Sequence, residues 1–283
     1  MVPEIPLTDT IHRACPACGQ DNAAQPPHRL SSGPWRLKRC AQCRFVYLEN
    51  APPYASLSED LAWDRTSKIE TLRKAQVQPV QNALSRVTRR RLKLPRQNVL
   101  DLLARYAPDG PVVDIGCGNA GYMQQLHPRH RPCGIEVSKA LAAVGQKNLA
   151  AQDGVVVHAP ALEGFQRFPP GECAAVVMRS YLEHELRPRE VLAAAFDALK
   201  PGGILILKLP NFGSLNAAIM GRRWCGLRLP DHANYFTPRQ LAKMVQKAGF
   251  RVTRFGWLSF RPPTSDNMWM IAARDKCPAC SRP

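Results

Sequence analysis

The sequence predicts an α/β protein: a parallel sheet with helices on its faces, closed by an antiparallel hairpin and preceded by a small cysteine-built module. Three observations predict it. Two C-x-x-C pairs stand near the start, short apolar runs alternate with helical patterns from residue 111 onward, and two apolar runs lie close together near the end. Four segments follow from this pattern: 1–50, 51–105, 106–275 and a tail, 276–283.

In the first segment, Cys15-Pro-Ala-Cys18 and Cys40-Ala-Gln-Cys43 are separated by 21 residues. Each knuckle aims two thiolates at one ion, and two knuckles complete a tetrahedral sulfur shell suited to zinc. Gly19 fits the tight turn that follows the first knuckle. Disulfides compete with this reading. The start, MVPEIPLTDT, lacks the basic-then-apolar pattern of an export signal, so a reducing, cytoplasmic setting is expected. A thioredoxin-like motif would need only one pair. Residues 1–50 therefore read as a structural zinc ribbon. Its thiolates leave a charge of about −2 on the ion, which Arg36, Lys38, Arg39 and Arg44 can partly offset. The third pair, Cys277-Pro-Ala-Cys280, belongs either to an intermolecular site or, preferably, to an exposed tail. Cys117, Cys133, Cys173 and Cys225 read mostly as small packing residues.

The second segment carries the densest charge. The chain has a net charge of +17, of which residues 1–63 contribute nothing, 64–105 contribute +8 and 106–283 contribute +9. Residues 51–105 read as a basic, largely helical connector with Arg89, Arg90 and Arg91 consecutive. Such a run is either a surface for phosphate or anionic lipid or a solvated helix face. A hydrophobic content of 45% with 22% charged residues excludes a wholly disordered chain. No apolar stretch approaches the ~18 residues that cross a bilayer, which leaves peripheral membrane contact open.

In the third segment, strands are expected at 111–116, 131–137, 154–159, 173–179 and 203–209, with helices near 120–127, 138–150, 188–199 and 214–220. Lys200-Pro-Gly-Gly203 stops the fourth of these helices and turns the chain into the next strand. Thr237-Pro-Arg-Gln240 is a capping box that starts a helix running to about Ala248, where Gly249 ends it. The runs Arg251–Trp257 and Asn267–Ala273 are close enough for an antiparallel hairpin, an unusual ending for a doubly wound domain.

The chemistry centres on Pro111-Val-Val-Asp-Ile-Gly-Cys-Gly-Asn-Ala-Gly121. A strand runs into a glycine-rich turn that opens a helix and brings bare backbone close to a ligand. Asp114 precedes Gly116 and Gly118, where a pyrophosphate site would prefer no carboxylate; an acid there suits an amine-bearing ligand. Glu136, 22 residues on at the end of the second strand, is placed to accept two ribose hydroxyls. The two acids together point to an adenosyl sulfonium over a dinucleotide.

From about 106 to 275 the chain resembles the class I S-adenosylmethionine-dependent methyltransferases. VVDIGCGNAG is similar to their first motif, GIEVS to their ribose motif, and LKPGGILILKLPN to their segment entering the fifth strand. The resemblance implies a Rossmann-like, seven-stranded methyltransferase sheet ending in a hairpin. The N-terminal pairs and the Trp224…Pro230-Asp-His232…Asn234-Tyr-Phe-Thr-Pro stretch resemble a subgroup carrying a zinc ribbon. Carried over, Asp114 would orient the methionine amine, Gly116 and Gly118 would line the methionine moiety, and Glu136 would bind the ribose. Leu162 and Glu163 would flank the adenine, while Arg179 and Ser180 would face the methyl-transfer space. The family's third glycine is Ala120 here, small enough for cofactor binding to survive, and Glu172-Cys173 replaces the frequent Phe-Asp at the fourth strand.

Methyl transfer from a sulfonium is an in-line displacement that needs alignment and, for a hydroxyl or activated carbon, a base. His232 and Tyr235 are the base candidates. His184, after Glu183, reads as a capping or hydrogen-bonding residue. The stretch Arg179-Ser-Tyr-Leu182 lacks the Asn-Pro-Pro-aromatic turn of base-amine methylation, and neither Cys173 nor Cys225 has the setting of a covalent nucleophile. The acceptor is expected to be a small molecule, saccharide or glycolipid-type lipid-linked intermediate, of anionic character given the connector's charge. RNA is the alternative acceptor, and a cofactor-binding scaffold without turnover is the third reading.

Overall fold

A computed structural model describes residues 10–53, 98–256 and 266–275. Most of the basic connector, including Arg89–Arg91, lies outside the described residues, as do Trp257 and the Cys277–Cys280 pair.

The N-terminal module contains β1 (Ile11–His12), β2 (Leu37–Arg39), β3 (Val46–Leu48) and β4 (Asn50–Ala51). There follow α1 (Val99–Tyr106), β5 (Gly110–Ile115), β6 (His130–Glu136), α2 (Lys139–Leu149), β7 (Val155–His158) and α3 (Ala161–Phe165). The chain continues through β8 (Cys173–Arg179), α4 (Pro188–Ala198), β9 (Leu199–Pro210) and α5 (Leu215–Met220). It ends in β10 (Asn234–Tyr235), α6 (Pro238–Lys247), β11 (Arg251–Arg254) and β12 (Asn267–Ala273).

Seven strands form one sheet in the order β11-β12-β9-β8-β5-β6-β7. β7, β6, β5, β8 and β9 run parallel, and β12 and β11 close the edge antiparallel. This is the seven-stranded sheet with a closing hairpin that the resemblance implied. Helices cover both faces, so alternate residues of each central strand enter different cores. On one face Val113, Ile115, Val176, Met178, Leu205 and Leu207 pack with α3, α4 and α6. On the other, Val112, Ala175, Val177, Ile204 and Ile206 pack with α1 and Leu149 of α2.

Four local features differ from the expected elements. The helix expected at 120–127 is a 3-10 turn over Gly121–Gln125, because Ala120 sits in the left-handed region and Pro128 disfavours helix at His127. β9 begins at Leu199, which pairs with Cys173 ahead of an irregularity that accommodates the Pro-Gly-Gly. α3, five residues long, carries no periodic signal of its own. β10 pairs with the N-terminal module and not with the main sheet. By contrast, the capping box at Thr237 and Gln240 forms as read.

In that module, the Cys15 and Cys43 sulfurs stand 3.5 Å apart, as do those of Cys18 and Cys40. Both knuckles close on a left-handed residue whose amide donates to the first cysteine's carbonyl, Gly19 at φ 83° and Arg44 at φ 63°. Arg36 and Lys38 turn away from the role of offsetting thiolates, since both pair with the buried Glu49, at 3.1 and 3.4 Å. A carboxylate that is 4% exposed needs those cations more than the sulfurs do.

Candidate cofactor and acceptor site

The strand order reverses at β5, which has β6 on one side and β8 on the other; ligands of such sheets bind outside the carboxyl ends at that point. There the chain brings together Asp114, Gly116, Gly118, Glu136 and Arg179. Gly116 and Gly118 adopt φ of 68° and 58°, and a Cβ on Gly118 would meet nothing within 4 Å. The turn is held by the Gly116 amide on the Ile135 carbonyl at 2.8 Å and by the Gly118 amide on Glu136 Oε2 at 2.8 Å. Glu136 Oε1 accepts the Ser138 amide at 2.8 Å, so both carboxylate oxygens are fixed in place, each with a further lone pair to offer.

Asp114 is 2% exposed, and its Oδ1 has no hydrogen-bond partner among the described residues. Burial pushes its carboxyl up to about 7, against the pull of the Arg179 guanidinium. That guanidinium stacks 3.9 Å over the Tyr122 ring. Tyr122, absent from the sequence-based candidates, thus sits with Arg179 beside the Asp114 carboxyl. Leu162 and Glu163 lie on α3, the former half-buried and the latter exposed. An open cradle above Gly118 and an unanswered carboxylate oxygen fit an amine-bearing cofactor.

The second half of the site starts where β8 ends. Ser180 adopts φ 54°, and the Tyr181 ring lies 3.2 Å from where a Gly116 Cβ would stand. Tyr181 donates its hydroxyl to Glu185 at 2.5 Å. Between them come Glu183 and His184, which meet Arg228, Asp231 and His232 from the loop before β10. His184 Nδ1 lies 2.8 Å from Asp231 Oδ1. The rings of His184 and His232 meet edge to face, with centroids 4.7 Å apart. His232 is 4% exposed, and its Nδ1 donates to the Gly226 carbonyl at 2.8 Å. Tyr235 packs away from this pair, among Leu30, Leu37, Leu48 and Trp224 on the module side.

These environments pull the titrations apart. Burial alone would lower His184, but Asp231 outweighs it and holds the imidazole above its ordinary value. Burial opposes charge on Asp231, and His184 nevertheless holds it below the usual carboxylate range. Burial, then His184 and Arg228, push His232 well down, and burial pushes Glu183 up. The arrangement is an aspartate-oriented histidine backed by a neutral one, which can take a proton from an acceptor hydroxyl. The potential ligating atoms of Glu183, His184 and His232 lie within 4.8 Å of one another, although both Nδ1 atoms are already engaged. The four ribbon sulfurs lie within the same spacing, as a tetrahedral sulfur shell requires.

A doubly covered sheet with this turn, an acid beside it and a second acid on the next strand defines an S-adenosylmethionine-dependent methyltransferase. The chain belongs to a methyltransferase-domain family, which matches it over residues 87–254. It is 27% identical over 165 residues to the ubiquinone biosynthesis O-methyltransferase of Burkholderia pseudomallei (strain 1710b), spanning 56% of this chain and 71% of that one. Against the enzyme of the same name from Cereibacter sphaeroides (strain KD131), identity is 30% over 175 residues, spanning 58% and 68%. Among solved structures, a SAM-dependent methyltransferase from Methanosarcina mazei shares the fold, with a TM-score of 0.50 and 17% identity over 65% of this chain and 100% of that one. One from Mesorhizobium loti does so at a TM-score of 0.50 and 13% identity, over 62% and 96%. Among the described residues, no helix is long and apolar enough to cross a membrane.

Proposed function

We propose that this methyltransferase acts on a hydroxyl of a small-molecule or lipid-linked acceptor, with His184 as the base. One observation carries the reading: His184, held by Asp231 at 2.8 Å, stands in the loop whose first ring covers the cofactor turn at Gly116. The relatives named for ubiquinone O-methylation support an acceptor of this kind. S-adenosylmethionine, when bound, supplies an electrophilic methyl group on a sulfonium.

Asp114, Gly116, Gly118, Glu136, Leu162, Glu163 and Arg179 would hold that cofactor. Asp114 offers its free oxygen to an ammonium, and Glu136 offers its remaining lone pairs to two hydroxyls. Tyr181 lies against the turn at Gly116. His184 donates Nδ1–H to Asp231, which leaves Nε2 as the acceptor of a proton, and the raised imidazole pKa strengthens that base. His232 fixes the ring of His184 from behind, and Tyr235 anchors the same loop through packing. Cys15, Cys18, Cys40 and Cys43 would hold a structural zinc.

The test uses methyl-tritiated S-adenosylmethionine with the purified chain and three fractions: small metabolites, lipid extract and RNA. Label in either of the first two, lost at least tenfold in His184→Gln, supports the reading. Label confined to RNA, or an undiminished His184→Gln, overturns it. Metal analysis should find one zinc per chain, absent from Cys40→Ser; a folded, metal-free wild type removes the ribbon.

A further inference from the structure

We propose that the cysteine ribbon is the clamp that shapes the acceptor side of the site, with Arg13 as its positioning residue, so that emptying the ribbon disarms the acceptor loops and leaves cofactor binding intact. This rests on the acceptor-side reading above. Arg13 stands two residues before Cys15 and is 7% exposed. Its Nη1 donates to the Leu48 and Ala233 carbonyls at 3.0 and 3.2 Å. Its Nη2 donates to the Leu186 carbonyl at 3.1 Å and to Asn234 Oδ1 at 3.0 Å. Asn234 in turn donates its amide nitrogen to the Leu182 and Glu185 carbonyls, at 3.0 and 2.6 Å.

One guanidinium fork therefore joins three pieces: ribbon strand β3, the 182–186 loop carrying Glu183 and His184, and the 228–235 loop carrying Asp231 and His232. A planar fork with five fixed donors suits that junction, and no other side chain reproduces it. The backbone follows the same lines. The Leu48 amide donates to Ala233 at 2.9 Å, and the Ala233 and Asn234 amides both donate to Glu183 at 2.8 and 2.9 Å. Phe45, two residues past the second knuckle, packs edge-to-face on Phe236 at 5.0 Å in the same core as Cys15 and Cys40. A buried charge demands that every one of these acceptors be kept in place. Loss of the knuckle geometry therefore reaches His184 through Arg13 and Phe45. The cofactor turn is tied to β6 through Ile135 and Glu136, and so has its own support.

The full chain, Arg13→Met and Asn234→Ala are compared by metal analysis, calorimetric titration with S-adenosylmethionine and hydrogen exchange, with methyl transfer to the labelled fraction alongside. In Arg13→Met, zinc content and cofactor Kd should stay within twofold of wild type, while exchange in 182–186 and 228–236 rises at least tenfold and that in 112–118 is unchanged. Transfer should fall at least tenfold and recover in part on adding guanidinium. Chelator-treated wild type should show the same split between loops and turn. Unchanged loop exchange in Arg13→Met, or a cofactor Kd that weakens in step with it, overturns the proposal. Should Arg13→Met not fold, Asn234→Ala carries the decision, since it cuts the same junction from the other side. A wild type that binds no cofactor or labels no fraction would sink the methyltransferase reading, while the exchange arm still decides the clamp.

Discussion

The two halves of the site are made of different material. The cofactor half is built on nearly continuous chain, Asp114 to Gly121, completed by Glu136 on the neighbouring strand and closed by turn amides that donate to the Ile135 carbonyl and the Glu136 carboxylate. The acceptor half is assembled from side chains of distant segments, Arg13, Glu183, His184, Asp231, His232 and Asn234, in which Arg13 and Asn234 are 221 positions apart. A turn held by its own amides depends mainly on the sheet strands beside it. A half built from side chains depends on every element that brings them together, here including the ribbon.

The largest effect expected on that contrast comes from Asp231→Asn. Asp231 is held low by His184, so its stabilisation is present above the ordinary carboxylate pKa and is lost as pH falls. His184 is held high by Asp231, so its share is present below the ordinary imidazole pKa and is lost as pH rises through the folded value. The pair is at full strength between about pH 4 and 6.5. Breaking it should cost about 4 kcal/mol in that window, read as a shift in urea midpoint, and the variant's pH profile should flatten there. Cofactor affinity should not move; a parallel loss would mean the halves are one unit.

The converse variant is Gly118→Val. Its side chain would enter the open space above the turn at a φ of 58° that β-branched residues avoid. We expect cofactor Kd to rise roughly hundredfold, about 2.7 kcal/mol, with hydrogen exchange of 182–186 and 228–236 unchanged. Exposure of those loops in this variant would erase the distinction.

The same contrast explains what the sequence could reveal. Asp114, Gly116 and Gly118 are legible because a turn needing left-handed glycines after an apolar strand leaves a local trace. The Thr237–Gln240 cap is legible for the same reason. Arg13 and Asn234 leave no such trace, since their bond joins the two ends of the chain. Asp231 carried a readable signal, an acid next to His232, but its effect falls on His184, 47 positions away. How the ribbon sits leaves no local trace either; β3 pairing with β10 fixes it. The early start of β9 is likewise set by pairing, with little help from local preference.

The smallest effect tests the cofactor half from within. Burial lifts the Asp114 carboxyl to about 7, so the ionised form that would pair with an ammonium is scarce at pH 6 and dominant near 7.5. The ammonium partner loses half of its own protons only at about pH 8. Affinity for S-adenosylmethionine should therefore strengthen by roughly tenfold, about 1.4 kcal/mol, between pH 6 and 7.5. It should weaken again in more alkaline solution. Asp114→Asn should bind weakly across the whole range, with no slope, because the amide cannot ionise. Its acceptor loops should keep wild-type hydrogen exchange, since their hydrogen bonds run to Arg13 and Glu183. A wild-type Kd that is flat from pH 6 to 7.5 would mean the ligand amine is held elsewhere. The free Oδ1 of Asp114 would then be a cost of burial that Arg179 and Tyr122 offset.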